Sequence, residues 1–167
     1  MIRVAHITPE SFQEYPDEIS SLVWTSGCNL NCSFCHNKQL LIPTRQPIKD
    51  PLAAIETNKA ITAVVALGGE PTTDPGLHNF SHFIKDLGLK FKLFTNGIIH
   101  PVISQLAKSG TLDAINIDIK AVSNVSSITN TPITDTIYLL SIHKSIDSIR
   151  QAKTNIVTGK QIGRAHV

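Results

Sequence analysis

The chain has 167 residues, is 41% hydrophobic and carries a formal net charge of +2. That is enough apolar material for one core of ordinary size, and the near-neutral balance favours neither a nucleic-acid partner nor a membrane surface. No apolar run approaches the roughly 20 residues needed to span a bilayer. The cysteines number three and are clustered, which speaks against a disulfide framework and for a reducing, cytoplasmic setting.

In chain order, Ser21 to Thr25 is β-branched and aromatic and precedes Gly27, so it reads as a first strand ending at the cysteine run. A polar loop reaches Lys49, and Asp50-Pro51 then supplies an N-cap and an N1 proline for a short helix bearing Leu52 and Ile55. Ala63 to Leu67 is an unbroken apolar run, as expected of a strand covered on both faces, and it ends in Gly68-Gly69-Glu70-Pro71. Asp74-Pro75 starts a second helix, with Leu77, Phe80, Ile84 and Leu87 on one face and Gly88 closing it. Lys90 to Phe94 forms a third strand that ends in Thr95-Asn96-Gly97, and Pro101 to Ser109 forms the third helix. In Ala114 to Lys120 the alternation is strict: Ile115, Ile117 and Ile119 should face the helices, while Asn116, Asp118 and Lys120 face an interior cavity or, on an edge strand, water. A long helix follows over Asp135 to Ala152, with Leu139, Ile142, Ile146 and Ile149 on its stripe, and Asn155 to Thr158 reads as a fifth strand.

This alternation implies an α/β fold with a parallel sheet and right-handed crossovers. Four units and the start of a fifth are too few for a closed eight-stranded barrel, so the expectation is an open, partial (β/α) barrel that stops after four to five units. Ligands of such sheets sit at the carboxyl ends of the strands. Each unusual motif falls there.

Cys28, Cys32 and Cys35 are the chain's only thiols, at spacings of four and three. Three thiolates so spaced can hold three corners of a cubane iron–sulfur cluster and leave one iron open. The same residues admit other readings. Cys32 to His36 is also a CxxCH haem-attachment pattern, but that leaves Cys28 unexplained. A thioredoxin-like CxxC ignores Cys28 too, a zinc site with His36 as fourth ligand lacks a second spaced pair, and three incidental cysteines remain a plain alternative. Gly68-Gly69-Glu70-Pro71 offers glycines for close approach, a carboxylate for an ammonium group and a proline that stiffens the turn, although it could also be only a turn.

Taken together, CxxxCxxC and the Gly-Gly-Glu-Pro loop one βα unit later resemble the radical S-adenosylmethionine (SAM) enzymes. Gly27 to Leu30, Cys35-His36-Asn37, Thr95-Asn96-Gly97 and Asp118-Ile119-Lys120 resemble the activating enzymes of glycyl radical enzymes, and among them the anaerobic ribonucleoside-triphosphate reductase activating proteins. The resemblance runs from about Tyr15 to Gly159 and implies roles. Cys28, Cys32 and Cys35 would ligate a [4Fe-4S] cluster, and Phe34 would lie near the adenine of SAM. Gly68, Gly69 and Glu70 would hold its amino group, Lys120 would pair with its carboxylate, Asp118 would occupy the adjoining cation or polar site, and Thr95 and Asn96 would line the cavity. It also implies the reaction: reductive cleavage of SAM to methionine and a 5′-deoxyadenosyl radical, which takes an α-hydrogen from a glycine of the partner reductase. The absence of further cysteines leaves no ligands for auxiliary clusters and implies flavodoxin or ferredoxin as reductant. The alternatives are activation of a formate-lyase-type partner, a small-molecule radical SAM reaction, or a non-catalytic electron-transfer module. One position departs from the pattern: Phe94 stands where relatives often carry aspartate before Thr-Asn-Gly, which puts cation dependence in question.

Residues 162–167, Ile-Gly-Arg-Ala-His-Val, resemble the translation of a sequencing-adapter read. The expectation is therefore a radical SAM domain over 1–160, incomplete at its C-terminus, followed by a non-native tail at 161–167.

Overall fold

A computed structural model describes residues 2–43, 48, 50–152 and 155–159. The expected tail at 161–167 lies outside the described residues, as does Lys49. Six strands form one sheet in chain order: β1 (Val4–Ser11), β2 (Ser20–Thr25), β3 (Ala63–Gly68), β4 (Lys90–Thr95), β5 (Ala114–Asp118) and β6 (Asn155–Gly159). β1 runs antiparallel to β2, and β2 through β6 are parallel. The five parallel strands make a partial barrel that does not close, as the alternation of strands and helices implies.

The helices are α1 (Pro51–Thr57), α2 (Leu77–Asp86), α3 (His100–Lys108), α4 (Val125–Thr129) and α5 (Asp135–Gln151). Their starts follow the local chemistry. The Asp50 carboxylate accepts the Ala53 N–H at 3.0 Å and so caps α1, with Pro51 next to it. On α2, Leu77, Phe80 and Ile84 are buried as the spacing predicts, whereas Leu87 sits at the C-cap and is partly exposed.

The core lies between the sheet and the helices. Val23, Val64, Ala66, Phe91, Leu93, Ile115 and Ile117 supply the sheet side of one cluster, and Ile55, Phe80, Ile103, Tyr138, Ile142 and Ile149 come from the helices. Ile115 and Ile117 are fully buried on this face, while Asn116 and Asp118 turn to the opposite face and are half-buried. This is the division that the alternation predicts.

Three features differ from the sequence expectation. β1 is an additional edge strand; Pro9 lies within it and its register against β2 slips twice, so it carries no clean alternation. α4 is a five-residue helix between Asn124 and Asn130, both left-handed, and is too short for periodicity to reveal. The buried stripe of α5 is Tyr138, Ile142, Ser145 and Ile149 rather than one containing Leu139, which is 40% exposed. Polar anchors turn the helix: the Tyr138 hydroxyl accepts the Lys120 N–H at 2.7 Å, and Ser145 Oγ donates to the Gly97 carbonyl at 2.8 Å. Gly97 admits this packing, because a Cβ there would lie 2.6 Å from Ile142 Cδ1.

Candidate functional site

The loop carrying Cys28, Cys32 and Cys35 leaves the carboxyl end of β2 and is tethered at both ends. On its first half, the Gly27 and Cys28 N–H groups donate to the Leu40 and Leu41 carbonyls at 2.8 and 3.1 Å. The Gly69 and Glu70 N–H groups donate back to the Thr25 and Gly27 carbonyls at 2.9 and 2.8 Å. On its second half, the Asn31 and Ser33 N–H groups reach the Thr129 and Ile128 carbonyls of α4 at 3.0 and 3.1 Å. Sequence reasoning did not assign that second anchor, since nothing local to Val125–Thr129 marks it.

Gly68 and Gly69 are required by this arrangement. Gly68 has φ +116°, and a Cβ there would lie 2.6 Å from the Thr25 carbonyl oxygen. At Gly69 a Cβ would lie 2.3 Å from the Gly27 oxygen and 2.9 Å from that of Leu40. The close approach that these glycines permit is thus made by the chain's own backbone, which holds the cysteine loop against the end of β3.

Glu70 is 2% exposed. Its Oε1 accepts from Thr72 N and Oγ1 at 3.1 and 2.5 Å and from Thr95 Oγ1 at 2.7 Å; its Oε2 accepts the Asn96 N–H at 2.7 Å. Burial pushes its carboxyl up in pKa, and the four donors work against that. Asn96 also receives the Ile98 N–H on Oδ1 at 3.1 Å and donates Nδ2 to Asn29 Oδ1 at 2.7 Å. The motifs after β2, β3 and β4 are therefore joined by one hydrogen-bonded network.

Asp118 ends β5 and Lys120 follows two residues beyond it, so the strand stops short of the expected Lys120; their side chains pair at 2.5 Å and are each about a quarter exposed. Burial lowers the Lys120 pKa, but the charge and hydrogen bond of Asp118 outweigh it and the ammonium is raised overall. Lys120 Nζ stands 6.0 Å from the Phe34 ring centroid, and Phe34 is 46% exposed. Asp118 Oδ1 and Asn116 Oδ1 are buried and meet no donor among the described residues. Phe94, half-buried on β4, faces Lys92 Nζ at 5.0 Å.

All three thiols are free; Cys32 is buried and the other two are half-buried. Burial raises the Cys28 thiol to about 11; the Leu30 N–H opposes this, Glu70 and Cys32 add to it, and Lys120 opposes it. The Cys32 thiol is also raised by burial, with Lys120 pulling it back. Among the described residues, no three His, Cys, Asp or Glu side chains converge closely enough for a single metal ion. A mononuclear site packs its sulfurs about one metal at roughly 2.3 Å each, whereas the corners of a cubane stand further apart. Three thiols free of disulfides on one loop, with a charged pair nearby whose carboxylate has an oxygen that meets no donor among the described residues, fit the cluster and its amino-acid-bearing ligand better than a closed zinc site.

Comparison with known proteins agrees with the geometry. The profile of the Radical SAM superfamily matches residues 22–167, and the chain belongs to that superfamily. A protein of Methanocaldococcus jannaschii with the provisional name of a glycyl-radical enzyme activating enzyme is 30% identical over 120 residues, covering 70% of this chain and 50% of its own. A Sulfurisphaera tokodaii protein with the provisional name GTP 3′,8-cyclase is 29% identical over 102 residues, covering 57% of this chain and 32% of its own. The chain thus spans about half the length of the first of these relatives and less of the second. Among solved structures, TYW1 with a lysine–pyruvate adduct bound superposes with a TM-score of 0.55 at 17% identity, over 83% of this chain and 54% of that one. Native anSMEcpe with bound AdoMet gives 0.52 at 19% identity, over 80% and 40%. At these identities the structures establish the fold alone.

Proposed function

We propose that this radical SAM protein is an activating enzyme of a glycyl radical enzyme, with anaerobic ribonucleoside-triphosphate reductase as its partner and flavodoxin or ferredoxin as its reductant. The reading is supported by the placement of Cys28 and Cys32 within electrostatic reach of one another, of Lys120, and of Glu70 and Asp118 respectively, with the Asp118–Lys120 pair beside them. Its narrowing to an activating enzyme is supported by the relative with that provisional name and by the resemblance of Cys35-His36-Asn37 and Asp118-Ile119-Lys120 to that branch.

In this reading Cys28, Cys32 and Cys35 hold a [4Fe-4S] cluster. When bound, the cluster supplies the electron that cleaves SAM, and the protein supplies binding, orientation and exclusion of water. Lys120 presents its ammonium to the SAM carboxylate. Asp118 Oδ1, buried and without a donor among the described residues, accepts from the ligand's polar head. Phe34 offers an exposed ring face to the adenine. Thr95 and Asn96 line the same cavity, and their bonds to Glu70 hold the Gly68–Glu70 loop in place for the amino group. Because each thiol would ligate as a thiolate, cluster uptake would release the thiol protons, and the burial that raises the Cys28 and Cys32 thiols opposes that release.

The test is to incubate the reconstituted, reduced protein and SAM with anaerobic ribonucleotide reductase and with a formate-lyase-type enzyme, reading glycyl radical by EPR. A radical on the reductase alone supports the assignment; a radical only on the other partner moves the protein to that branch. A small-molecule radical SAM reaction is the second reading, favoured by the similarity to the protein named as a GTP 3′,8-cyclase. It predicts SAM cleavage stimulated by a nucleotide and no radical on either partner.

A further inference from the structure

The two halves of the cysteine loop are held by separate devices; at Cys28 these are its N–H bond to the Leu41 carbonyl at 3.1 Å and a pair of asparagines that fixes the turn after it. Asn96 is fixed on three sides. Its N–H donates to Glu70 Oε2 at 2.7 Å, its Oδ1 accepts the Ile98 N–H at 3.1 Å, and its Nδ2 is thereby aimed at Asn29 Oδ1, 2.7 Å away. The Ile98 contact decides the orientation of the amide, since a flip would set a donor against a donor. Asn29 lies between Cys28 and Leu30, and the Leu30 N–H points at Cys28 Sγ at 3.4 Å. The Cys32–Cys35 half is tied elsewhere, to α4, through Asn31, Ser33 and Asn130.

We propose that Asn29 and Asn96 form a latch that positions Cys28 as a metal ligand by holding the Cys28–Leu30 turn with the Leu30 N–H on the Cys28 sulfur. Both act as positioning residues: Asn96 holds Asn29, and Asn29 Oδ1 in turn also accepts from the Cys28 thiol at 4.0 Å, so Asn29 steadies the sulfur as well as the turn. The claim about the ligand rests on the [4Fe-4S] reading above; the claim about the turn does not. Hydrogen bonds to ligand sulfurs are among the determinants of cluster potential, so the latch also sets the potential at this corner. The pair is separated by 67 residues in sequence and joins the loop after β2 to the end of β4.

The experiment uses the full chain in two states. In the metal-free protein, alkylation of Cys28 and Cys35 by iodoacetamide is followed by peptide mass spectrometry, with Cys35 as internal reference. Asn29→Leu keeps the side-chain volume and removes the acceptor of both Asn96 and the Cys28 thiol, and Asn29→Ala gives the same reading should leucine disturb folding; Asn96→Ala removes the donor to Asn29 and leaves the Asn29–Cys28 contact, so it is expected to raise the ratio alike, and an unchanged ratio there overturns the latch. Ile149→Val loosens the core away from the loop and reports general softening. The Cys28-to-Cys35 rate ratio is expected to rise about fivefold in the Asn29 variants, the scale of one net hydrogen bond, and to stay at the wild-type value in Ile149→Val. An unchanged ratio in the Asn29 variants, or the same rise in Ile149→Val, overturns the latch. In the reconstituted protein, Asn29→Leu is expected to show a lower midpoint potential than wild type, and an equal potential overturns the tuning role. If the wild-type chain takes up no cluster, the cluster reading falls while the metal-free ratio still judges the latch.

Discussion

Glu70 Oε2 accepts the Asn96 backbone N–H at 2.7 Å, so the loop after β3 and the end of β4 share one buried carboxylate. The same carboxylate gathers two donors from Thr72 and one from Thr95. Glutamate suits this position because both of its oxygens accept. Glu70→Gln would set an amide N–H against the Asn96 N–H and leave that donor unsatisfied. A destabilisation of about 1–3 kcal/mol is expected from an unmet buried donor, measurable by denaturant unfolding. A Gln variant as stable as wild type would show that the network does not depend on the second carboxylate oxygen.

Gly69→Ala places a methyl group 2.3 Å from the Gly27 oxygen, and that atom is backbone. The cysteine loop must shift to admit it. We predict a loss of about 1–3 kcal/mol, the usual cost of overpacking. Iron content after reconstitution should also fall, measured by chelation assay. Wild-type iron content in a correctly folded Gly69→Ala protein would separate the glycine from the seating of the loop.

The chain has two tyrosines, Tyr15 and Tyr138. Both are raised to about 12, first by burial; nearby carboxylates add to it at each, and at Tyr138 the Lys120 N–H opposes it. A folded pKa above the unfolded value near 10 means that the neutral phenol is favoured by folding. The associated stability is complete below pH 10 and is lost as pH climbs from about 10 to 12. Phenolate absorbance of the folded protein should therefore rise well above pH 10, and Tyr138→Phe should weaken the alkaline loss of stability. Titration of both tyrosines near 10 in the folded state would contradict these environments.

Asp118 holds the Lys120 ammonium with one oxygen, and its other oxygen meets no donor among the described residues. Asp118→Asn removes the charge that keeps the buried ammonium favoured, so the Lys120 pKa should fall. SAM binding should weaken about tenfold or more, on the scale of one charge-assisted hydrogen bond, as read by equilibrium dialysis of the reconstituted protein. Unaltered affinity would remove the pair from the SAM site.

Much of the site was legible because its motifs are local and each follows a strand. The Ile115–Ile117 and Asn116–Asp118 alternation gave the correct faces of β5, and the apolar run from Ala63 marked a strand buried on both sides. What escaped lacks a local signal. β1 is an edge strand with Pro9 and a slipped register, and α4 is a single short helix. On α5, apolarity alone favoured Leu139, whereas tertiary hydrogen bonds selected Tyr138 and Ser145. The partners of Gly68 and Gly69 were likewise hidden: the sequence predicts a close approach there, and the backbone atoms that a Cβ would meet come from Thr25, Gly27 and Leu40. The Asn29–Asn96 bond spans 67 residues, a relation that no window along the chain can display.

The central claim is that three thiolates hold a cluster whose remaining iron is open to SAM. It is tested most directly by anaerobic reconstitution with iron and sulfide, reduction, and EPR with and without SAM, alongside Cys32→Ala. The account predicts a cubane signal in the wild-type protein that changes when SAM is added, and no signal and no 5′-deoxyadenosine from the variant. A cluster indifferent to SAM, or one retained in Cys32→Ala with SAM cleavage intact, would contradict it.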